Sequence, residues 1–147
     1  SSPYLRSIII NKGSKHKINL GMVVIDGEYL VGKIVEVNYS LSRVLLLSDL
    51  NSKIPVIVEP NTVFSILSGT GKDYGIIQYS KKYEDIKNES IIYTSGAGSL
   101  FKAGIPIGRM NINNLSDEKK VDFFSDFSQL KFVKVVSFKK SENKWQG

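Results

Sequence analysis

Between Leu20 and Val58 the chain reads LGMVVIDGEYLVGKIVEVNYSLSRVLLLSDLNSKIPVIV, four β-rich runs with no room for a helix longer than a turn. Gly21 to Ile25 and Glu28 to Val37 flank Asp26-Gly27, a dipeptide that tolerates the positive φ values of a type I′ hairpin turn. Ser42 to Leu47 follows, then a turn at Asp49-Leu50-Asn51-Ser52, then Ile54 to Val58. Strands packed this closely either leave two exposed edges or close on themselves, and closure into a small barrel is the more economical solution.

The rest of the chain continues in the same manner. Tyr4 to Asn11 is a first strand, followed by a polar connection around His16. After Pro60-Asn61 come short runs at Val63 to Leu67, Tyr74 to Tyr79, Ser90 to Thr94, Ile105 to Ile112, Val121 to Phe124 and Leu130 to Phe138. Lys81 to Glu89 reads as a loop with one turn, and Ser95 to Gly104 as a glycine-punctuated loop. The two halves echo each other at a spacing of about seventy residues, as in a duplicated small barrel. SIII corresponds to GIIQ, KINLGMVV to DIKNESII, LVGKIVEV to IPIGRMNI, and SRVLLL to LKFVKVV. The best match sets Gly32-Lys33-Ile34 beside Gly108-Arg109-Met110, where a glycine within a strand suits a sharp bend or a close backbone approach. The expected division is a first barrel at 1–59, sharing strands with the C-terminal part, a second barrel at 60–140, and a tail at 141–147.

Hydrophobic residues at 41% and charged residues at 23% are those of a globular chain. The net charge of +6 and pI of about 9.4 permit an acidic partner, but the lysines are scattered, as on a generic solvated surface. With no cysteine there is neither a disulfide framework nor a thiolate metal site, and a single histidine excludes a histidine-rich one. No apolar run reaches the roughly 20 residues of a membrane span. Because Ser1 opens almost directly onto strand sequence, a removed targeting segment is expected.

Chemistry-bearing motifs are weak. His16 sits among Ser14, Lys15 and Lys17, without the acid that orients a catalytic histidine, although Thr94 to Ser99 superficially resembles a nucleophile loop. Gly69-Thr70-Gly71-Lys72 is too short for a phosphate-binding loop and leads into a strand. Asp117-Glu118 lacks the partners of a calcium loop. The reading is therefore of a protein without catalytic, metal or cofactor-binding residues. Attention moves to surfaces: Leu100 and Phe101, held between glycines, are candidate partner contacts or a plug over a barrel end, and Tyr29 is a further candidate. A barrel with a gap could also recruit a neighbour by strand addition. The alternative class is a basic barrel of the OB type, with Tyr4, Tyr29 and Tyr39 stacking on single-stranded nucleic acid.

Several motifs taken in order resemble the periplasmic part of the rod shape-determining protein family MreC. They are Ile10 to Ser14, Gly21-Met22-Val23-Val24, Leu30 to Ile34, Ser42 to Asp49, Asn51 to Val56, Thr94-Ser95-Gly96, Ile105 to Arg109, and Asp126 to Leu130. The departures are local: Lys102 stands where the family tends to proline, Gln129 where arginine is usual, and Asn88-Glu89-Ser90 replaces a more glycine-like turn. The resemblance implies an all-β fold of two six-stranded barrels with chymotrypsin-like topology and no protease site. It further implies a non-catalytic scaffold of the cell-elongation machinery at the periplasmic face of the inner membrane, anchored through an N-terminal segment absent from this sequence. Self-association, a penicillin-binding transpeptidase and MreD are the implied partners, coupling wall synthesis to the MreB cytoskeleton; nucleic acid is not among them.

Overall fold

The computed structural model describes residues 5–78, 83–97, 102–113 and 118–137. Eleven strands run through them: β1 (Ser7–Ile10), β2 (Val23–Asp26), β3 (Tyr29–Val37), β4 (Ser42–Leu46), β5 (Lys53–Glu59), β6 (Val63–Gly69), β7 (Tyr74–Gln78), β8 (Ile91–Thr94), β9 (Pro106–Ile112), β10 (Lys119–Phe123) and β11 (Val133–Val136). Two 3-10 turns, Ser14–His16 and Tyr83–Asp85, lie in the connections expected to be polar. Every pairing is antiparallel.

The strands form two sheets. One is a closed barrel in the order β10-β7-β6-β5-β8-β9; the other has five strands in the order β1-β4-β3-β2-β11. The expected pair of six-stranded barrels is thus one closed barrel and one five-stranded sheet among the described residues. A break at residue 59 also fails to follow the pairing. Ile54, Val56 and Val58 point alternately into the closed barrel, so β5 belongs there, while β11 returns to β2.

Local chemistry explains the remaining shifts. Asp26 pairs with Tyr29, leaving Gly27-Glu28 as the hairpin loop, with a φ of 63° at Gly27. Glycine first in the loop is the pattern of a type II′ turn rather than the expected I′. The last strand starts late because the Lys131 and Phe132 N–H groups donate to the Asp26 carboxylate instead of a ladder carbonyl. Conversely β10 starts early, at Lys119, and the Lys120 ammonium lies 4.1 Å from the Tyr74 ring centroid on the neighbouring strand.

The internal echo has a structural counterpart. The neighbour relations of β1, β4, β3, β2 and β11 repeat those of β7, β10, β9, β8 and β5. Gly32 pairs with Val24 and Leu46, and Gly108 with Ile92 and Phe123; a bulge follows at Val24/Ile25 and at Ile92/Tyr93. A Cβ at Gly32 would strike the Leu45 carbonyl oxygen, and one at Gly108 the Asp122 carbonyl oxygen, each the residue before the glycine's partner. These glycines are required by close backbone approach. The fourth sequence correspondence is corrected, however: by neighbours the counterpart of β4 is β10, and β11 takes the place of β5.

Two apolar cores result. Ile18, Val24, Val31, Ile34, Val44 and Leu46 fill the concave side of the five-stranded sheet. The barrel interior gathers Ile54, Val56, Leu67, Ile77, Ile92, Ile107, Met110 and Val121, and it also takes Val23, Leu30 and Leu47 from the other sheet. Each such side chain contributes roughly 1.5–3 kcal/mol on burial, so these three residues couple the sheets strongly. Asp49, 2% exposed, adds polar order at the junction: its carboxylate accepts the Arg6 N–H and the Asn51 N–H, both at 2.8 Å.

Alanine at Gly32 or at Gly108 is expected to lower unfolding free energy by more than about 2 kcal/mol, read from urea denaturation, because backbone and not a flexible side chain must yield. Glu89 sits at φ 65°, in the turn where the resembling family is more glycine-like. Glu89→Gly should therefore shift stability upward by up to about 1 kcal/mol in the same assay.

Candidate functional site

The chemistry-bearing motifs are occupied with local structure. His16 Nδ1 accepts the Gly13 N–H at 3.0 Å, whereas a triad histidine must donate from Nδ1 to a carboxylate. Desolvation, then the charges of Lys12 and Lys15, holds the imidazole pKa below its ordinary 6.5. Ser95 Oγ accepts the Ala97 N–H at 3.3 Å, and it lies at the closed barrel while His16 lies in the other sheet's first connection. In the Gly69 to Lys72 turn, the Gly71 N–H donates to the Ser48 carbonyl and the Lys72 N–H to Thr70 Oγ, so those amides do not converge on a phosphate. No group of three metal-ligating side chains occurs among the described residues.

Tyr29 opens β3 and is 39% exposed. Its ring lies 5.0 Å from that of Phe124, over which Arg109 stacks at 5.7 Å, so it joins a surface cluster bridging the two sheets. Tyr39 lies beyond the other end of β3, 70% exposed, with Lys15 5.5 Å from its ring centroid. Opposite ends of one strand do not make a single stacking platform, and Tyr4 lies outside the described residues. Leu100 and Phe101 likewise lie outside them. Their loop's stem is fixed: Thr94 Oγ donates to the Lys102 carbonyl and accepts the Ile105 N–H, both at 2.9 Å.

What the sequence reading missed is the outer face of the barrel beside that stem. Along β5, β6 and β8 the inward residues are buried, so Pro55, Ile57, Phe64, Ile66, Ile91 and Tyr93 face outward. The register places Ile57 directly between Tyr93 on one side and Phe64 on the other, with Pro55 paired to Ile66 one step along. Phe64 is 64% exposed. A hollow of about 440 Å³ lies between Phe64, Tyr93 and the stem residues Ala103 and Gly104. A second, of about 260 Å³, lies between Phe64, Pro55, Ser95 and Ala97. An apolar ridge three strands wide, flanked by hollows, has the form of a protein-docking surface. The signal was available: in Val63-Phe64-Ser65-Ile66-Leu67 the alternation that buries Val63 and Leu67 sends the aromatic outward.

Comparison with known proteins gives a consistent result. The model of the family described as rod shape-determining protein MreC, barrel core, matches residues 1–137. A cell shape-determining protein MreC of Caulobacter vibrioides is 30% identical over 137 residues, 93% of this chain; the chain spans 39% of that relative's length. The crystal structure of MreC from Pseudomonas aeruginosa superimposes with a TM-score of 0.79 at 29% identity, covering 91% of this chain and 90% of that one. Two further structures share the fold at lower identity. One is the major periplasmic domain of a cell shape-determining filament MreC (22%, TM-score 0.79, covering 90% of this chain and 88% of that one). The other is from a complex between penicillin-binding protein PBP2 and MreC of Helicobacter pylori (17%, TM-score 0.71, covering 95% and 90%).

Since Phe64 projects from a strand whose packing face is opposite, Phe64→Ser is expected to change unfolding free energy by less than about 0.5 kcal/mol, measured by denaturant titration.

Proposed function

The chain belongs to the MreC family of rod shape-determining proteins, and we propose that it serves as a non-catalytic scaffold that binds wall-synthesis proteins through the ridge Tyr93–Ile57–Phe64. The single observation that carries this is that Tyr93, Ile57 and Phe64 face outward in one cross-strand row on the closed barrel, with Phe64 64% exposed. The MreC from Helicobacter pylori found in complex with a penicillin-binding protein supports the choice of a transpeptidase as partner. Leu100 and Phe101, in the stretch between the described stem residues Ala97 and Lys102, and Tyr29, on the sheet-bridging cluster, are assigned as accessory contacts. Anchored aromatic and aliphatic side chains on a rigid sheet cost little entropy to immobilise, which is what a lasting protein contact needs.

Self-association and contact with MreD complete the proposed role, at the periplasmic face of the inner membrane, through a segment outside this sequence. The description of one structural neighbour as a cell shape-determining filament supports the self-association. No helix among the described residues is long and apolar enough to cross a membrane. We read the barrel as chymotrypsin-like. Taken round from β5, the order β5-β6-β7-β10-β9-β8 joins a three-strand meander to a second one running back, and this supports the reading.

Sedimentation of the chain with the periplasmic part of its elongation transpeptidase tests the proposal. Phe64→Ser combined with Ile57→Ser is expected to weaken the complex by more than about tenfold, the loss of a hot-spot pair, with the fold intact by circular dichroism. A complex of unchanged affinity would remove the ridge as the docking surface.

A further inference from the structure

Among the described residues the five-stranded sheet is a barrel short of one particular strand. In the closed barrel, β6 lies between β5 and β7 and runs antiparallel to both. The counterparts of β5 and β7 by neighbour relation are β11 and β1, the two edges of the other sheet. Four successive antiparallel pairings leave β1 and β11 pointing the same way, so one strand running antiparallel to both would close the sheet. A cavity of about 480 Å³ occupies this seam, lined by Ile10, Lys12 and His16 on one side and Val133, Lys134 and Val135 on the other, with Val24 at its floor.

Both edges offer their backbone to the seam. The Leu46 N–H donates to the Arg6 carbonyl, so Arg6, Ile8 and Ile10 turn their hydrogen-bonding groups toward β4 and Ile9 turns its own outward. The Ile34 N–H donates to the Met22 carbonyl, which directs Met22 and Val24 toward β3 and Val23 toward β11. By the same alternation Val136 pairs inward with Val23, and Val135 presents its N–H to the seam. Meanwhile the side chains of Ile8, Ile10, Val133 and Val135 border the sheet's apolar core and are only partly covered.

We propose that this seam receives an extended segment of a partner protein by strand addition, one with alternating apolar residues and carboxylates beside them. The apolar residues would enter the core beside Ile10 and Val135, and the carboxylates would meet Lys12 and Lys134. Charge selects the occupant: among the described residues two lysines line the seam and no aspartate or glutamate does. The chain's own segment after Ser137 carries Lys139, Lys140 and Lys144 against Glu142, a mismatch, and the family match ends at residue 137. A second copy, at a net charge of +6, is disfavoured on the same ground. The inference goes beyond the docking ridge, which lies on the other sheet.

The test is fluorescence anisotropy with a labelled peptide of alternating glutamate and valine, and a control of alternating lysine and valine, titrated with the full chain. The acidic peptide should bind saturably and the basic one should not. Ile9→Pro removes an outward-facing donor at an edge where proline is tolerated, and Lys134→Glu reverses the charge. Each should weaken binding at least about fivefold, the scale of one hydrogen bond or one charge contact, while Phe64→Ser leaves it unchanged. Amide hydrogen exchange gives a second readout: Ile9 and Val135 should exchange freely alone and become protected with the acidic peptide. Protection without peptide would show the chain's own tail or a second copy already seated there and would overturn the proposal. So would equal binding of both peptides, no binding of either, or loss of binding in Phe64→Ser alone.

Discussion

The fold depends on β2 and β3 being buried from both sides. Val24, Val31 and Ile34 enter the core of their own sheet, whereas Val23 and Leu30 enter the core of the neighbouring barrel. A strand with two apolar neighbours reads as a continuous run rather than an alternation, and Gly21-Met22-Val23-Val24-Ile25 and Leu30-Val31 have that character. Leu47 makes the same crossing one residue after β4, and Ser125 Oγ adds a hydrogen bond of 3.0 Å to the Leu30 carbonyl. The coupling is mostly apolar and shared by three strands' ends, so it does not depend on ion pairs. The two salt bridges among the described residues, Arg6 with Asp73 and Arg43 with Glu36, lie at the surface, where such pairs contribute little.

A second constraint acts inside each sheet. Gly32 and Gly108 let the following strand's carbonyl approach where a Cβ would stand, and in both places a bulge on the other side takes up the change of register. Bulges increase local twist, and strong twist is what curls a small sheet toward closure. The same device, used twice, gives full closure once. The difference lies in connectivity: β5 continues directly into β6, which fills the place between β5 and β7, whereas β11 comes from the far end of the chain and meets only β2 among the described residues.

How much of this was legible follows from range of interaction. Strand positions, the glycine pair and the first three correspondences of the repeat were readable, because alternation and turn residues are local signals. The assignment of β5 and β11 was not, because both are apolar alternating strands and nothing in their own residues says which edge they join. The early start of β10 depends on Lys120 meeting Tyr74, and the late start of β11 on Asp26, more than a hundred residues away, capturing two amides. At the candidate site, Leu100 and Phe101 drew attention because loop residues escape the alternation rule. Phe64 was passed over because an aromatic within a strand is ordinarily counted as core. Its outward phase becomes visible only when Val63, Ser65 and Leu67 are counted as the inward set.

Closure and openness then assign different kinds of surface to the two sheets. A closed barrel has no free edge, so β5, β6 and β8 can recognise a partner only through side chains, and theirs are Tyr93, Ile57 and Phe64 in a row. Side-chain recognition is shape-specific and tolerates little change in the partner's surface. The other sheet keeps two backbone edges among the described residues, which could accept an extended segment by hydrogen bonds and leave selectivity to charge and to alternate pockets. For the scaffold role proposed above, such a division has a physical advantage. A partner on the ridge and one in the seam would not compete for the same atoms, yet both surfaces border the core shared through Val23, Leu30 and Leu47.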